Sequence, residues 1–443
     1  MLLSKIPGFF KSRRDALMKA NPRSAFILHS PPEFIRNPDV HFPFRQESNF
    51  FYLSGFEEAE SCMVLAPRVN GPGYQYTLFV RKRDLEKEMW EGERHGTEGA
   101  SKVFGADEAF LIEDLSKKLP DLLKGSESVH YRIGLDEGTD RSILGALESW
   151  RRSMGRSGKA LAPLMDPNSA LGEMRLFKTA EEVEIMRKAC QISAATHSDA
   201  MRQVKPGMNE FEVEALIDYG LRRRGCQRVG YGSIVAGGKN AACLHYRANN
   251  EGLRDGDLLL IDAGGEFDYY TADITRTFPV GRKFSAAQSK VYDLVLKSQV
   301  EAIAMTKPGA KIPEIHRHVC QVLTEGLLSL GLLKGSPEEI MKTGQFRRFY
   351  PHNTSHWLGI DVHDVGLYLK NGEPRPLEAG MVLTIEPGFY VQPGDKETPA
   401  EFHNIGIRIE DDVLVTANGN DVLTRDVPKS RDEIEKLRTQ AFA

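Results

Sequence analysis

Short apolar runs broken by Pro, Gly and polar clusters fill the first third of the chain, a pattern typical of strands in a mixed α/β domain. Four runs are interpreted as strands, at residues 24–30, 50–56, 61–67 and 74–83. Residues 141–154 follow helical spacing instead. The Gly-, Ser- and Pro-rich segment 155–179 is interpreted as a linker.

From Thr179 onward, apolar residues recur at helical spacing over long segments. Residues 179–204 predict an amphipathic helix, with Thr179 as N-cap and Glu182 at the capping-box position. Further helices are predicted at 209–225, 286–305 and 312–332, and strands at 230–235 and 258–263. The order helix, Lys-Pro-Gly, helix occurs twice, which suggests a rough internal duplication. The change in pattern predicts two domains, residues 1–175 and 176–443.

Composition limits the class of protein. The chain has 443 residues, a formal net charge of −4 and 41% hydrophobic residues, which is ordinary for a globular protein. It gives no general electrostatic reason to bind nucleic acid or an anionic membrane. No run approaches the ~18 apolar residues of a membrane helix, and no signal peptide is evident, so we expect a cytoplasmic protein. Five cysteines without a CxxC pair predict buried, reduced thiols.

Acidic residues interrupt or end apolar runs in the second half, where charge is expensive to bury. "LLLIDAG", "MVLTIEPG" and "IGIRIED" carry Asp262, Glu386 and Glu410. Asp273 lies eleven residues beyond Asp262, and a hairpin turning near Phe267–Asp268 would place these two carboxylates directly opposite each other. Each acid alone has an ordinary interpretation as a turn former or cap, so the argument depends on the set.

Carboxylates that converge from separate strands repel one another and require a counter-charge. Arg276 and Arg408 could form a salt-bridge cluster, but two arginines against four acids leave negative charge over. One or two divalent cations would neutralise the set. Four carboxylates and one imidazole are a hard ligand set that favours Mn, Co, Fe or Zn, and bridging carboxylates imply two ions roughly 3.5 Å apart.

At this point the motifs resemble those of the pita-bread metallopeptidases, which include methionine aminopeptidase, prolidase and aminopeptidase P. The metal ligands of that family run Asp, Asp, His, Glu, Glu, and here they fall on Asp262, Asp273, His356, Glu386 and Glu410. The resemblance covers the whole C-terminal part.

The segment "FPFRQESNFFYLSGFEEAES" resembles the amino-terminal domain of aminopeptidase P and the larger prolidases, which argues against methionine aminopeptidase. "HNTSHWLGIDVHDVG", with Trp357 after the ligand histidine, favours aminopeptidase P over prolidase. Asn353 and Thr354 depart from the residues expected between the two histidines.

The resemblance implies an α+β fold, with an N-terminal α/β domain and a C-terminal pita-bread domain. The latter is a pseudo-twofold, curved antiparallel sheet with helices outside. It further implies an aminopeptidase that removes the first residue of peptides with proline in second position. Two divalent ions are expected, Mn²⁺ before Co²⁺ or Zn²⁺, with Asp273 and Glu410 bridging them.

The resemblance also suggests roles for the remaining polar residues. A hydroxide between the two ions would attack the carbonyl carbon before proline, and Glu386 would pass its proton to the leaving nitrogen. His363 is expected to hydrogen-bond the carbonyl oxygen as it gains charge. His245 would help to hold the substrate and His352 would line the proline pocket. Arg408 is assigned to substrate binding as well.

Three alternatives stay open. Prolidase, which cuts only dipeptides, is the first. The second is a catalytically silent module of the same fold, although such relatives usually lose metal ligands and this chain keeps five. A metal-free creatinase-type hydrolase disagrees with the same ligand count.

Quaternary structure is the last expectation. Trp90 lies among charges in "KEMWEGERHG", where it is either a partly buried anchor of a loop, the interpretation slightly preferred, or an interface aromatic. The family is often oligomeric, so a homodimer or homotetramer is predicted.

Overall fold

The computed structural model describes residues 3–156 and 160–442. It separates into two units, Met1–Met174 and Arg175–Ala443. The predicted linker at 155–179 lies partly outside the described residues, at 157–159. The rest of that segment contains a short strand and a helix that begins at Asn168, and the boundary between the two units falls within that helix.

In the described residues of the first part of the chain, the structure has seven α-helices and eight strands. The helices are α1 (Phe9–Ala20), α2 (Ser48–Ser54), α3 (Leu85–Glu91), α4 (Gly96–Lys102), α5 (Leu115–Leu122), α6 (Glu137–Ser153) and α7 (Asn168–Leu176). The strands are β1 (Ser24–His29), β2 (Ile35–Asn37), β3 (Val40–His41), β4 (Cys62–Pro67), β5 (Tyr74–Val80), β6 (Glu108–Leu111), β7 (Ser128–Tyr131) and β8 (Leu164–Met165).

A six-stranded mixed sheet organises this unit, in the order β6-β5-β4-β1-β7-β8. Strand β1 pairs antiparallel with β4 and parallel with β7, so the predicted α/β domain is confirmed. The apolar faces of β1, β4 and β7 pack with α5 and α6 around Trp150, which is 4% exposed.

The predicted strand at 50–56 is wrong, because this segment is helix α2. Glu47 caps the helix by accepting the backbone N–H of Phe50 at 2.7 Å, and Gly55 ends it with a φ of +67°. All seven helical residues are buried. A continuous apolar run does not distinguish a fully buried helix from a strand.

Six α-helices and thirteen strands are present in the second unit over residues 175–442. The helices are α8 (Ala180–Gln203), α9 (Glu210–Arg223), α10 (Ala286–Met305), α11 (Ile312–Ser329), α12 (Pro337–Thr343) and α13 (Arg431–Ala441). The strands are β9 (Arg228–Val229), β10 (Ile234–Gly237), β11 (Leu258–Asp262), β12 (Gly265–Phe267), β13 (Tyr270–Thr271), β14 (Thr275–Pro279), β15 (Leu369–Lys370), β16 (Glu373–Pro374), β17 (Val382–Ile385), β18 (Gly388–Tyr390), β19 (Gly406–Arg408), β20 (Asp411–Thr416) and β21 (Gly419–Val422).

The four long helices lie close to where the sequence predicts them. Helix α8 begins at the predicted capping box, in which Thr179 and Glu182 exchange hydrogen bonds of 2.8 and 3.4 Å. Helix α9 begins at a second capping box formed by Asn209 and Glu212. Strand β10 starts at Ile234, four residues later than expected, because the residues before it do not enter a ladder with β11.

The second unit repeats one plan. Each half contains a helix pair, α8 with α9 and α10 with α11, followed by a three-stranded antiparallel sheet, β10-β11-β14 and β17-β20-β21 respectively. Every strand pair assigned in the described part of this unit is antiparallel. This repeat of helices and antiparallel strands confirms the predicted α+β, two-part pita-bread fold.

Two general predictions have a mixed outcome. None of the helices in the described part of the chain is long and apolar enough to cross a membrane. All five thiols are free, and four are buried, but Cys243 is exposed. It lies directly after a short 3₁₀ helix at residues 238–242.

Candidate metal centre and active site

The acidic residues lie where the two long hairpins of the second unit change from one ladder to the next. In the first half, β11 pairs with β14 and β12 with β13, and Asp262 and Asp273 lie at this break. In the second half, β17 pairs with β20 and β18 with β19, and Glu386 and Glu410 lie at the corresponding break. Asp262 is the last residue of β11, whereas Asp273, Glu386 and Glu410 lie between strands, so each half of the duplicated fold places two carboxylates at its ladder break.

Close backbone approach shapes the first break. A Cβ atom on Gly264 would lie 1.7 Å from the carbonyl oxygen of Ala272, so only glycine fits this position. The hairpin turns at Asp268 and Tyr269, both with positive φ, one residue later than predicted. Asp262 is therefore opposite Thr275 in the ladder, and the prediction that it faces Asp273 directly is wrong.

One cavity of about 800 Å³ contains every residue singled out from the sequence as a site residue. Those residues are His245, Asp262, Asp273, His352, His356, His363, Glu386, Arg408 and Glu410. They come from segments up to 165 positions apart, since the first is 245 and the last 410. The fold thus brings the complete predicted set together, although proximity alone does not assign a role to any member.

The tightest cluster consists of Asp273, His356 and Glu410, whose ligand atoms all lie within 4.8 Å of one another. His356 Nε2 is 3.4 Å from Asp273 Oδ2 and 3.8 Å from Glu386 Oε1. Asp273 and Glu410 are buried, at 5% and 2% exposure. The cluster has the donor types and the convergence that a hard divalent cation requires.

Backbone hydrogen bonds between residues 354–356 and the segment 384–386 at the end of β17 orient His356. Backbone hydrogen bonds join Thr384 N to His356 O at 3.0 Å and Glu386 N to Thr354 O at 2.9 Å. His356 Nδ1 donates to the carbonyl oxygen of Trp357 at 3.0 Å, which leaves Nε2 free to face the carboxylates. Such a carbonyl partner fixes the ring and tautomer of a metal-binding histidine.

Arg408 and Tyr231 hold the first pair of acids. Arg408 Nη2 donates to Asp262 Oδ2 at 2.6 Å. The hydroxyl of Tyr231 lies 2.6 Å from Asp262 Oδ1 and 2.5 Å from Asp273 Oδ1, bridging the two carboxylates. Burial raises the pKa of Tyr231, so the hydroxyl keeps the proton that it donates.

Arg276 does not belong to this cluster. It is fully buried and pairs with Asp411 at 2.7 Å, and Lys429 contacts the same carboxylate at 2.6 Å. Of the two arginines considered as counter-charges, only Arg408 reaches one of the four acids through an ion pair in the described structure. Arg276 therefore does not offset the charge of the four acids.

The pKa values of the four carboxyl groups reflect their burial and the few positive charges near them. Burial raises the pKa of Glu386 to about 7. Burial, together with the neighbouring carboxylates, raises the pKa of Glu410 well above its usual value, and burial raises that of Asp262 as well. Burial alone would also raise the pKa of Asp273, but His356 holds it below its ordinary value and is itself raised to about 9.

Protons and a divalent cation are alternative ways to compensate these acids. Without a cation, the raised pKa values mean that some of the carboxyl groups bind protons near neutral pH. With cations, the same oxygens act as ligands. The residues present therefore fit a metal centre by donor type, convergence and charge.

The other histidines surround this centre. His352 Nδ1 donates to Asn353 O and Nε2 accepts from Tyr390 OH, both at 2.8 Å. Burial lowers the pKa of His352 to about 3, so its ring is neutral. His363 lies with its ring 4.4 Å from that of His356, in an edge-to-face arrangement. His245 lines the cavity from an exposed loop.

Sequence reasoning missed Tyr231, Tyr390 and His316. Tyr390 OH bonds both His352 and Arg408, and His316 Nδ1 lies 2.8 Å from Thr354 Oγ1. A lone tyrosine or helical histidine is usually structural, so nothing in the local pattern marked them. Thr354, one of the two unexpected residues in its motif, thus links the histidine segment to α11.

Comparison with known proteins places this geometry in a family. Residues 184–417 match the model of metallopeptidase family M24, and residues 10–131 match the aminopeptidase P N-terminal domain. The chain is 41% identical to Xaa-Pro aminopeptidase of Escherichia coli over 98% of both chains.

Solved structures agree over the same length. The aminopeptidase PepP of Pseudomonas aeruginosa superposes with a TM-score of 0.93 at 44% identity, covering 98% of both chains. A zinc-substituted E. coli aminopeptidase P in complex with product also gives 0.93, at 41% identity and 98% coverage of both chains.

The chain therefore belongs to metallopeptidase family M24, and it is a hydrolase of metal-dependent type. Within that family, the resemblance to aminopeptidase P, the Xaa-Pro aminopeptidases, is confirmed over the whole length of the chain.

Proposed function

We propose that this enzyme uses two divalent metal ions to hydrolyse the bond before proline in peptides that carry proline in second position. The observation that supports this most directly is the single cavity that unites four carboxylates and His356 in a chain related to Xaa-Pro aminopeptidases along its full length. The Xaa-Pro bond is a tertiary amide without an N–H. A peptidase that binds its substrate through that N–H cannot do so at an Xaa-Pro bond, so a mechanism that acts on the carbonyl group is appropriate.

We assign the metal ligands as the motif order implies. Asp273 and Glu410 would bridge the two ions, Asp262 would complete one set of ligands, and His356 with Glu386 would complete the other. Two ions would neutralise the buried acids, lower the pKa of water towards neutrality and polarise the scissile carbonyl. Mn²⁺ is the proposed native metal because the ligand set is rich in carboxylate oxygen, with Co²⁺ or Zn²⁺ as alternatives.

Glu386 is the proposed proton carrier. It is only partly exposed, and in this structure its second oxygen lies 3.6 Å from His352 Nδ1. A carboxylate that takes a proton from water can pass it to the proline nitrogen as the bond breaks. The transfer is needed because an unprotonated secondary amine leaves poorly.

The surrounding residues are assigned to substrate binding. His363, adjacent to the metal-ligand histidine, would donate a hydrogen bond to the carbonyl oxygen as negative charge develops. His352 would line the proline pocket, and His245 would hold the substrate from the opposite loop. Arg408 would support binding through the charge that it holds next to Asp262.

The organisation of the whole protein is also proposed. Residues 1–175 and 176–443 would act as separate domains, and the enzyme would assemble as a homodimer or homotetramer. A cytoplasmic location stays a prediction from the sequence.

A peptide series tests the proposed function. Metal-free enzyme is reconstituted with Mn²⁺, Co²⁺ or Zn²⁺ and assayed with Ala-Pro, Ala-Pro-Ala and Ala-Ala-Ala. Release of alanine from Ala-Pro-Ala, with little from Ala-Ala-Ala, is the expected result. Cleavage of Ala-Pro alone would favour prolidase, and an absence of cleavage with every metal would favour a silent binding module.

A further inference from the structure

One cation on the wall of the active-site cavity has no partner in the described structure. Arg247 is exposed, lines the cavity and forms no ion pair or hydrogen bond with any described residue. The cavity's other arginine, Arg408, is 4% exposed and is already bound to Asp262, Thr275 and Tyr390. Arg247 is therefore free to bind an anionic group that enters the cavity.

The loop that carries Arg247 is fixed on both sides. Tyr246 OH donates at 2.8 Å to Oε2 of Glu210, the first residue of α9. Asn249, which is buried and has a φ of +43°, accepts from Val235 N at 3.0 Å and donates to Ser233 O at 2.9 Å. The backbone around Arg247 is thus tied to α9 and to β10, whose Ile234 lines the cavity, and this reduces the entropy lost on binding.

Charge is distributed unevenly along the cavity. The four carboxylates of the metal centre are the acids that line it, and none of them forms an ion pair with Arg247. A peptide entering with its free amino group towards the metal centre has its other charge, the C-terminal carboxylate, some residues away. A cavity of about 800 Å³ has room for a peptide of a few residues.

We propose that Arg247 binds the free C-terminal carboxylate of a short Xaa-Pro peptide, which makes tripeptide acids preferred substrates. The inference rests on the proposed function and specifies the substrate class of that same cavity. Arginine suits this role because its planar guanidinium can donate two parallel hydrogen bonds to a carboxylate. A carboxylate could also come from an acidic side chain at the third position, so the experiment includes both sources.

The test compares Ala-Pro-Ala, its C-terminal amide and Ala-Pro-Glu amide. Values of kcat/KM are measured for the metal-reconstituted wild type and for Arg247→Gln, Arg247→Lys and Arg254→Gln. Arg254 is an exposed arginine outside the cavity and serves as the matched control. Because the substitutions are at exposed positions, folding and metal content should be unchanged, and both are checked by circular dichroism and metal analysis.

In the wild type we expect the acid to exceed its amide by about five- to tenfold in kcat/KM, mostly through KM, because the contact is remote from the reacting bond. Arg247→Gln should lower that ratio below about twofold, Arg247→Lys should keep an intermediate ratio, and Arg254→Gln should keep the wild-type ratio. The ratio should also fall as salt is raised, because the pair is partly exposed to solvent.

Other outcomes separate this inference from the proposed function. An acid-to-amide ratio near one in the wild type, or a ratio unchanged in Arg247→Gln, overturns the role of Arg247 while peptide cleavage itself continues. Selective loss of Ala-Pro-Glu amide cleavage in that variant would transfer the contact to a third-position side chain and overturn the terminal assignment. No cleavage of any peptide by the wild type would contradict the proposed function instead.

Discussion

At the scale of single residues, the centre combines buried acids with too few positive charges to balance them. Asp273 contacts His356 through one carboxylate oxygen and Tyr231 through the other. Asn at this position would keep the shape of the side chain and remove its charge. Metal binding and catalysis should therefore fail together.

The Asp273→Asn enzyme is expected to lose most of its bound metal and most of its activity. Metal content by inductively coupled plasma spectrometry and alanine release from Ala-Pro-Ala give the two measurements. Asp432→Asn, at an exposed position on α13, is the control and should match the wild type in both. Full metal occupancy with near-normal turnover in Asp273→Asn would refute the ligand assignment.

His363 differs from the proposed metal ligands because it is exposed and forms no ion pair with a carboxylate in the described structure. Its removal should leave the metal centre complete but take away a donor to the developing oxyanion. His363→Ala is expected to keep its metal and to lose about 10²–10³ in kcat, the usual effect of removing one such donor. Steady-state kinetics with metal analysis measure both quantities.

A matched histidine provides the comparison for this prediction. His318 on α11 pairs with Glu301 at 2.8 Å and lies outside the cavity, so His318→Ala should change kcat little. An unchanged kcat in His363→Ala, with metal bound, would mean that the oxyanion is stabilised without this side chain.

At the scale of elements, helix α8 supports the strand that carries Asp262. His197 on α8 is 1% exposed, and its Nε2 donates to the carbonyl oxygen of Ala263 at 2.8 Å. Its Nδ1 is buried and has no hydrogen-bond partner in the described part of the structure. Protonation would place a charge on that unpaired nitrogen, and burial therefore lowers the pKa of His197 from 6.5 to about 4.

This shift predicts how stability depends on pH. A histidine with a lowered folded pKa binds fewer protons when folded than when unfolded, so its contribution is complete above pH ~6.5 and is lost as the pH falls towards 4. Between pH 7.5 and pH 5, this residue should lower the free energy of unfolding of the metal-free protein by about 2 kcal/mol. His197→Gln should remove that part of the pH dependence, whatever its effect at pH 7.5.

Urea denaturation at pH 7.5 and pH 5 measures the difference between the variants. His403→Gln, at an exposed histidine, is the control and should keep the wild-type dependence on pH. An equal loss of stability in His197→Gln and in the wild type between the two pH values would contradict the assignment.

At the scale of the whole molecule, α3 presents an unexpected apolar surface. Trp90 is 83% exposed, so the prediction of a partly buried anchor is wrong. It lies on a helix instead of a loop, and Met89 and Leu85 on the same helix are 79% and 78% exposed. Large exposed aromatic and apolar side chains that lie together mark surfaces used in association.

This surface leads to a prediction about assembly. The wild type is expected to be a dimer or tetramer by multi-angle light scattering at micromolar concentration. The double substitution Met89→Ser and Trp90→Ser should shift the protein towards a smaller species without unfolding it, because both side chains are exposed. A monomeric wild type would contradict the predicted oligomer, and an unchanged mass in the double variant would exclude α3 from the interface.

Much of this protein was determined by the sequence itself. Local sequence pattern predicts features that depend on residues a few positions apart. Such features here are the long helices, the capping boxes at Thr179 and Asn209, and the carboxylates within apolar runs. The order of the family motifs along the chain is specific, and it therefore predicted that Asp262, Asp273 and His356 belong to one metal centre.

Only the tertiary structure decided the remaining features. The segment that forms α2 is a helix because of caps and complete burial, and the turn at Asp268 changes the partner of Asp262. Tyr231 joins two carboxylates from a position 31 residues before one of them, and Arg247 has no partner among the described residues that line the cavity. These are contacts between residues far apart in the chain, and their energies depend on register, burial and distance, which appear only when the strands pair.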